Sequence, residues 1–162
     1  MMKFLTILAV LPLLSCSPVP AENPVEEAPV QEEQTTGKAS DMGKLLISNG
    51  KETLSATFED NSSAKAFAER LAKGPVTVDM SDYGAFEKVG SLGFTLPRND
   101  KRITTKPGDV ILYQGNQITI YYDTNTWSFT LMAKIDGADK RKLLSFLGEG
   151  DVKITFSLSS ED

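Results

Sequence analysis

Arg98 and Arg102 stand in a polar run, Pro97-Arg98-Asn99-Asp100-Lys101-Arg102. A guanidinium is a strong donor to a carbonyl or an anion. The plainer reading is a solvated loop whose charge is balanced by Asp100. Aromatic side chains gather nearby. Tyr83 and Phe86 fall in the irregular stretch 81–107, and Tyr113, Tyr121, Tyr122 and Trp127 surround two turns, Gly115-Asn116 and Asp123–Thr126. Outward-facing rings of this kind line a peptide groove; inward-facing ones fill a core. Trp127, between Asn125 and Ser128 in this neighbourhood, suits a polar-rimmed pocket. The candidate ligand-binding residues are therefore Tyr83, Phe86, Arg98, Arg102, Tyr113, Asn125 and Trp127. Catalytic candidates fall away. The chain has no histidine, which removes imidazole acid–base chemistry and leaves Ser91 without a triad partner. Asp79 with Asp82, and Asp109 with Asp123, lack calcium-loop spacing. Gly90-Ser91-Leu92-Gly93 lacks the lysine of a phosphate loop. No catalytic residue, metal site or cofactor is nominated.

The one cysteine, Cys16, has a different chemistry. Met1-Met2-Lys3 is a short positive start, and Phe4 to Leu14 is apolar apart from Thr6 and Pro12. That run suits a signal-peptide core and falls well short of the ~20 residues of a membrane span. It ends Leu13-Leu14-Ser15-Cys16, which resembles the bacterial lipobox. The resemblance implies cleavage before Cys16 and attachment of lipid to its thiol, with residues 1–15 as a lipoprotein signal peptide. The alternative is ordinary secretion with a free thiol. Acyl chains anchor a protein because each buried methylene contributes ~0.8 kcal/mol. Ser17, rather than Asp, follows the cysteine, a pattern similar to lipoproteins sent to the outer membrane.

Residues 16–40 read as the acylated cysteine and a disordered tether. The segment after Cys16 holds prolines 18, 20, 24 and 29, five glutamates, and Lys38 as its only cation, a side-chain charge of −4. It has too little apolar surface to fold. Prolines and mutual repulsion extend such a segment, to ~75 Å at full stretch. The folded domain is then 41–162. Of its side chains 15 are Lys or Arg and 17 Asp or Glu, a net −2. Neither this balance nor the net charge of −5 over all 162 residues suits a general nucleic-acid binder, which needs clustered cations.

The domain must place the aromatic and arginine candidates with strands. Leu45–Ser48 and Lys51–Phe58 flank Asn49-Gly50, a two-residue hairpin signal. Asp60 to Ser63 offer N-caps to a helix whose apolar positions are Ala64, Phe67, Ala68 and Leu71, ended by Gly74-Pro75. Val76–Met80 alternates as a strand, and Phe86–Val89 and Leu92–Leu96 suit short ones. Gly108–Tyr113 and Gln117–Tyr122 form a hairpin around Gly115-Asn116. Trp127–Ile135 follows, then a helix over Ala138–Leu147 capped by Asp136, then the alternating strand Val152–Leu158. Seven or eight strands joined by tight turns predict a mainly β protein, a closed and mostly antiparallel barrel with two helices.

The stretch Asp82-Tyr83-Gly84-Ala85-Phe86-Glu87-Lys88-Val89-Gly90-Ser91-Leu92-Gly93 also carries a resemblance. So do Leu96-Pro97, Ile103-Thr104-Thr105-Lys106-Pro107-Gly108-Asp109-Val110 and Leu112-Tyr113-Gln114-Gly115-Asn116-Gln117-Ile118, followed by Tyr122, Asn125, Trp127 and Ser128. Together they resemble a bacterial cyclophilin-like domain family over about 44–158. The resemblance implies an eight-stranded barrel with two helices. Some relatives are associated with flavodoxin-like domains. True cyclophilins are prolyl isomerases whose active face carries an Arg-and-Phe strand motif, a Gln-Gly-Gly-Asp segment, a Trp and a His. This chain lacks that block and any histidine, and Gln114-Gly115-Asn116 reads as a turn, so no catalytic residue carries over.

The expected function is a membrane-tethered, extracytoplasmic binding module for a peptide or small ligand, facing the periplasm or the cell exterior. One alternative is a weak prolyl isomerase aiding envelope protein folding, with Arg98 or Arg102 as donor. The other is an accessory to a flavodoxin-like redox partner. The expected partners are a membrane, through the lipid, and a peptide or protein ligand, without nucleic acid.

Overall fold

The computed structural model describes residues 42–159. The signal segment, Cys16 and the tether lie outside them. The elements follow in the order β1 (Leu45–Ser48), β2 (Thr53–Phe58), α1 (Ser62–Leu71), β3 (Val76–Tyr83), β4 (Glu87–Ser91), β5 (Lys101–Thr104), β6 (Asp109–Tyr113), β7 (Gln117–Tyr121), β8 (Thr126–Ile135), α2 (Lys140–Leu147) and β9 (Val152–Leu158). Eight strands run β2-β1-β9-β3-β4-β7-β6-β8, and β8 pairs back onto β2. Ala56 then faces Ile135, and Phe58 faces Ala133. The ring is a closed antiparallel barrel with no free edge to protect, the architecture expected from the sequence.

The ninth strand is a correction. Arg98 to Arg102 was expected to be one polar loop, yet Lys101–Thr104 is β5, laid against the first half of β8 with Arg102 opposite Ser128 and Ile103 opposite Trp127. Only Ile103 is apolar in this run, so periodicity could not show it. Pairing with β8 makes it a strand. Conversely, Leu92–Leu96 is not a strand. Its Leu92 and Leu96 amides donate to the Asn116 and Gly115 carbonyls, and both leucines pack into the core.

One turn and one helix cap also differ from expectation. Ser48 pairs with Thr53, leaving a four-residue loop instead of a two-residue turn. Asn49 Oδ1 accepts from the Lys51 and Glu52 amides, while its Nδ2 donates to the Phe146 carbonyl at 2.7 Å. The side chain is thus used as a brace to α2, and the loop shape follows from it. Asp136 does not cap α2. That role falls to Asp139, whose Oδ1 accepts from the Lys142 amide at 2.8 Å. Asp136 instead accepts from Lys44, Ser55 and Thr57. The α1 cap is Asn61, within the expected span.

The barrel interior is filled from alternating positions: Val78 and Met80, Val110 and Leu112, Ile118 and Ile120, Ile154 and Phe156. Phe67 of α1 meets Phe156 edge-on at 5.8 Å, and Leu143, Phe146 and Leu147 bring α2 into the same core. On β8 the inward parity changes. Val110 pairs with Ala133 but Ile111 pairs with Leu131, so Met132 is the extra residue of a β-bulge. The bulge lets one long strand serve the barrel with its second half and an outer face with its first.

Candidate functional site

On β3, β4, β5, β6, β7 and the first half of β8, odd-numbered residues pair with odd-numbered residues. Tyr83 faces Glu87, Glu87 faces Tyr121, Tyr113 faces Gln117, and Lys101 faces Phe129. Even positions on β6 and β7 point into the barrel, so odd positions must point out. There a second, separate apolar cluster forms on Ile111, Tyr121 and Phe129, with Phe86, Ile103, Tyr113 and Leu131 packed against it. The two faces explain why β6 and β7 carry apolar residues at both parities. One face serves the barrel core and the other serves this outer cluster.

The outer cluster surrounds a cavity of about 340 Å³, lined by Tyr83, Glu87, Val89, Tyr113, Gln117, Tyr121, Asn125, Trp127 and Phe129. Its rings form a continuous series. Tyr83 meets Phe86 edge-on at 6.1 Å, Phe86 stacks on Tyr121 at 5.9 Å, Tyr121 meets Phe129 at 5.6 Å, and Phe129 meets Tyr113 at 6.1 Å. Such contacts fix ring positions beyond what area burial does. Tyr121 and Phe129 are buried and form the floor; Tyr83 and Trp127, 64% and 57% exposed, stand at the rim. Phe86 is set by its backbone, since its carbonyl accepts from the Tyr122 and Asp123 amides. The preceding turn needs positive φ at Gly84 (60°) and even at Ala85 (58°). Asn125 is pinned by buried Thr105, which exchanges hydrogen bonds with the Asn125 backbone at 2.9 Å in each direction.

Of the residues singled out from the sequence, Tyr83, Tyr113, Asn125 and Trp127 line this cavity. Phe86 supports it from beneath Tyr121. The two arginines are not brought to it. Arg98 engages Asp100, with Nε to Oδ2 at 2.9 Å. Asp100 also accepts from Thr130 at 2.6 Å, and Asn99 is hydrogen-bonded to Ser62, Ser63 and Thr130. The segment is therefore tied to α1 and β8, not left as a solvated loop. Arg102, at an even position, lies on the other face of β5 and is exposed.

Glu87, Val89, Gln117, Tyr121 and Phe129 line the cavity without having been nominated from the sequence, and Glu87 is the one charged residue among them. It is 6% exposed, and its Oε2 has no hydrogen-bond partner. Burial pushes its carboxyl above the usual range, against the pull of the Tyr121 and Thr119 hydroxyls. Burial and then Glu87 likewise push the Tyr121 phenol up, so it remains a hydroxyl. Only the parity of Glu87 with Val89, combined with the β4–β7 pairing, would have signalled its place.

The raised Glu87 pKa predicts a pH-dependent stability. The folded state favours the protonated acid, so the contribution is complete below the unfolded value near 4.5 and is lost as pH rises through the higher folded value. Glu87→Gln should therefore gain on the wild type as pH goes from about 4 to about 7, read from paired urea midpoints. A gap that stays flat across this range would mean that burial costs the carboxylate nothing.

No group of three or more metal-ligating side chains occurs among the described residues, and none of their helices is long and apolar enough to cross a membrane. A closed antiparallel barrel with a ligand-sized, aromatic-walled cavity on its outer face defines a pocket-bearing β-barrel domain. The profile of the cyclophilin-like family matches residues 47–157, and the chain belongs to that family. Among curated proteins and among solved structures, nothing matches it.

Proposed function

We propose that this protein is a non-catalytic binding module, held at a membrane outside the cytoplasm by lipid on Cys16, that takes a peptide or small ligand in the outer-face cavity. One observation carries the reading. Of the large apolar side chains that the described residues leave exposed, Tyr83 and Trp127 both stand at the rim of this one cavity. Exposed rings above a buried aromatic floor are the usual layout of a small-ligand site. The family membership supports a binding module of cyclophilin type.

Trp127 is the only tryptophan in the chain, so its emission reports on this site alone. Titration with a pool of short peptides should shift that emission, and Tyr83→Ala should weaken binding by about tenfold without moving the melting temperature. An emission unchanged by every peptide in the pool would sink the reading. The anchor has its own test. Cys16→Ser should move the protein from the membrane fraction to the soluble fraction or leave it unprocessed, and a wild type that takes up no labelled fatty acid would overturn it.

A further inference from the structure

The outer-face cavity has a polarity that a site for neutral proline peptides does not need. Five of its lining side chains are aromatic: Tyr83, Tyr113, Tyr121, Trp127 and Phe129. Its only charged lining residue is Glu87, an acid. A buried carboxylate without a full set of partners is costly, and proteins retain one where a cation or donor arrives to meet it. Aromatic faces attract the same kind of guest, because their quadrupoles place negative charge toward the ring face. An apolar stem matches the walls, and an ammonium head matches both the rings and Glu87.

We propose that this cavity recognises an alkylammonium group, the head of a lysine-type side chain, with the aromatic rings around its stem and the Glu87 carboxylate as its counter-charge. The inference rests on the cavity being a ligand site and adds what the ligand is. Glu87 ties the charge to a defined place. It sits opposite Tyr121 across the β4–β7 pairing and opposite Tyr83 across the β3–β4 pairing, so one floor ring and one rim ring flank it. Arg98 is occupied by Asp100 and Arg102 faces away, so neither neutralises Glu87 from the loop that precedes β5 or from β5 itself.

The test is a titration followed by Trp127 emission, with acetylated and amidated tripeptides that differ only in their central residue: lysine, trimethyl-lysine or norleucine. n-Butylammonium chloride is a fourth probe. The lysine and trimethyl-lysine peptides should bind at least about tenfold more tightly than the norleucine peptide, and raising the salt should weaken them but not norleucine. Glu87→Gln should remove most of the preference. Should that variant lose its fold, exposed Trp127→Leu, read by NMR shifts of the lysine and norleucine peptides, tests the aromatic part of the same site: the lysine preference should fall, and an unchanged preference overturns the cation inference. Binding of n-butylammonium would show that the head group alone suffices; peptide binding without it would place the source in a polypeptide. Equal binding of lysine and norleucine peptides overturns the cation inference and leaves the ligand site standing. No binding by any probe overturns the inference and the ligand site together.

Discussion

Assayed on proline peptides, the domain should turn over at least about a hundredfold more slowly than an authentic cyclophilin, equivalent to ~2.7 kcal/mol of missing transition-state stabilisation. Rotation about the prolyl bond meets a barrier of ~18–20 kcal/mol because the twisted amide loses its resonance. An isomerase lowers it with a donor aimed at the twisted amide in a dry site. The outer-face cavity holds the wrong charge for that task. Its charged lining residue is Glu87, a carboxyl that, when ionised, has no proton to give to the lone pair that localises on the prolyl nitrogen as the amide twists. Arg98 is bound to Asp100, and the guanidinium of Arg102 belongs to the opposite face of β5. The chain has no histidine to substitute for them. A coupled-protease or NMR-exchange assay measures the rate. Arg98→Ala and Arg102→Ala should leave any residual rate unchanged. Turnover at cyclophilin levels that either variant abolishes would establish the isomerase reading instead.

Lys88→Ala should be the most damaging single change at the end of the barrel, costing about 3 kcal/mol or more and lowering the melting temperature by more than about 10 °C. Lys88 is fully buried, at an inward position of β4. Its stem fills core volume, while its Nζ pairs with Asp82 Oδ2 at 2.7 Å and donates to the Gly150 carbonyl. Asp82 in turn accepts from the Tyr122 hydroxyl at 3.2 Å and the Gly150 amide at 3.1 Å. One ammonium thus ties β3 and β4 to the loop between α2 and β9. Alanine opens a cavity and leaves the Gly150 carbonyl without its partner. Lys88→Met keeps the stem and should cost only about half as much. The hydrogen bond from Lys88 holds the Asp82 carboxyl below its usual range. Stability from the pair is therefore full above the unfolded value near 3.8 and is lost as pH falls through the lower folded value. The gap between wild type and Lys88→Met should narrow in acid. Equal urea midpoints for wild type and Lys88→Ala at pH 7 would show that the network contributes nothing.

Much of the fold was legible because it is written in local, periodic terms. The alternation of Val152, Ile154, Phe156 and Leu158, the helical spacing of Ala64, Phe67, Ala68 and Leu71, and turn residues such as Gly115 each constrain their own segment. Short turns between strands imply antiparallel pairing, and many strands with one core imply closure. Tyr83, Tyr113 and Trp127 were legible as candidates too, since aromatics beside turns are unusual enough to notice, and Asn125 was legible as a polar neighbour of Trp127.

Tertiary structure decided the rest, and in each case the reason is that a partner distant in sequence sets the outcome. Lys101–Thr104 is a strand only because β8 lies beside it. Asn49 shapes its loop because the Phe146 carbonyl, far along the chain, is within its reach. Asp136 and Asp139 are equally good caps by type; the position where α2 starts selected Asp139 and left Asp136 to Lys44, Ser55 and Thr57. Arg98 and Arg102 looked like a pair, but side-chain parity on β5 and the pull of Asp100 separate them from the cavity. Glu87 and Lys88 are adjacent charges that sequence alone cannot tell apart from a solvated pair. Strand alternation sends one into an aromatic floor and the other into the barrel. Which of the two faces is the site depends on the register of β4 against β7, and no local pattern contains that register.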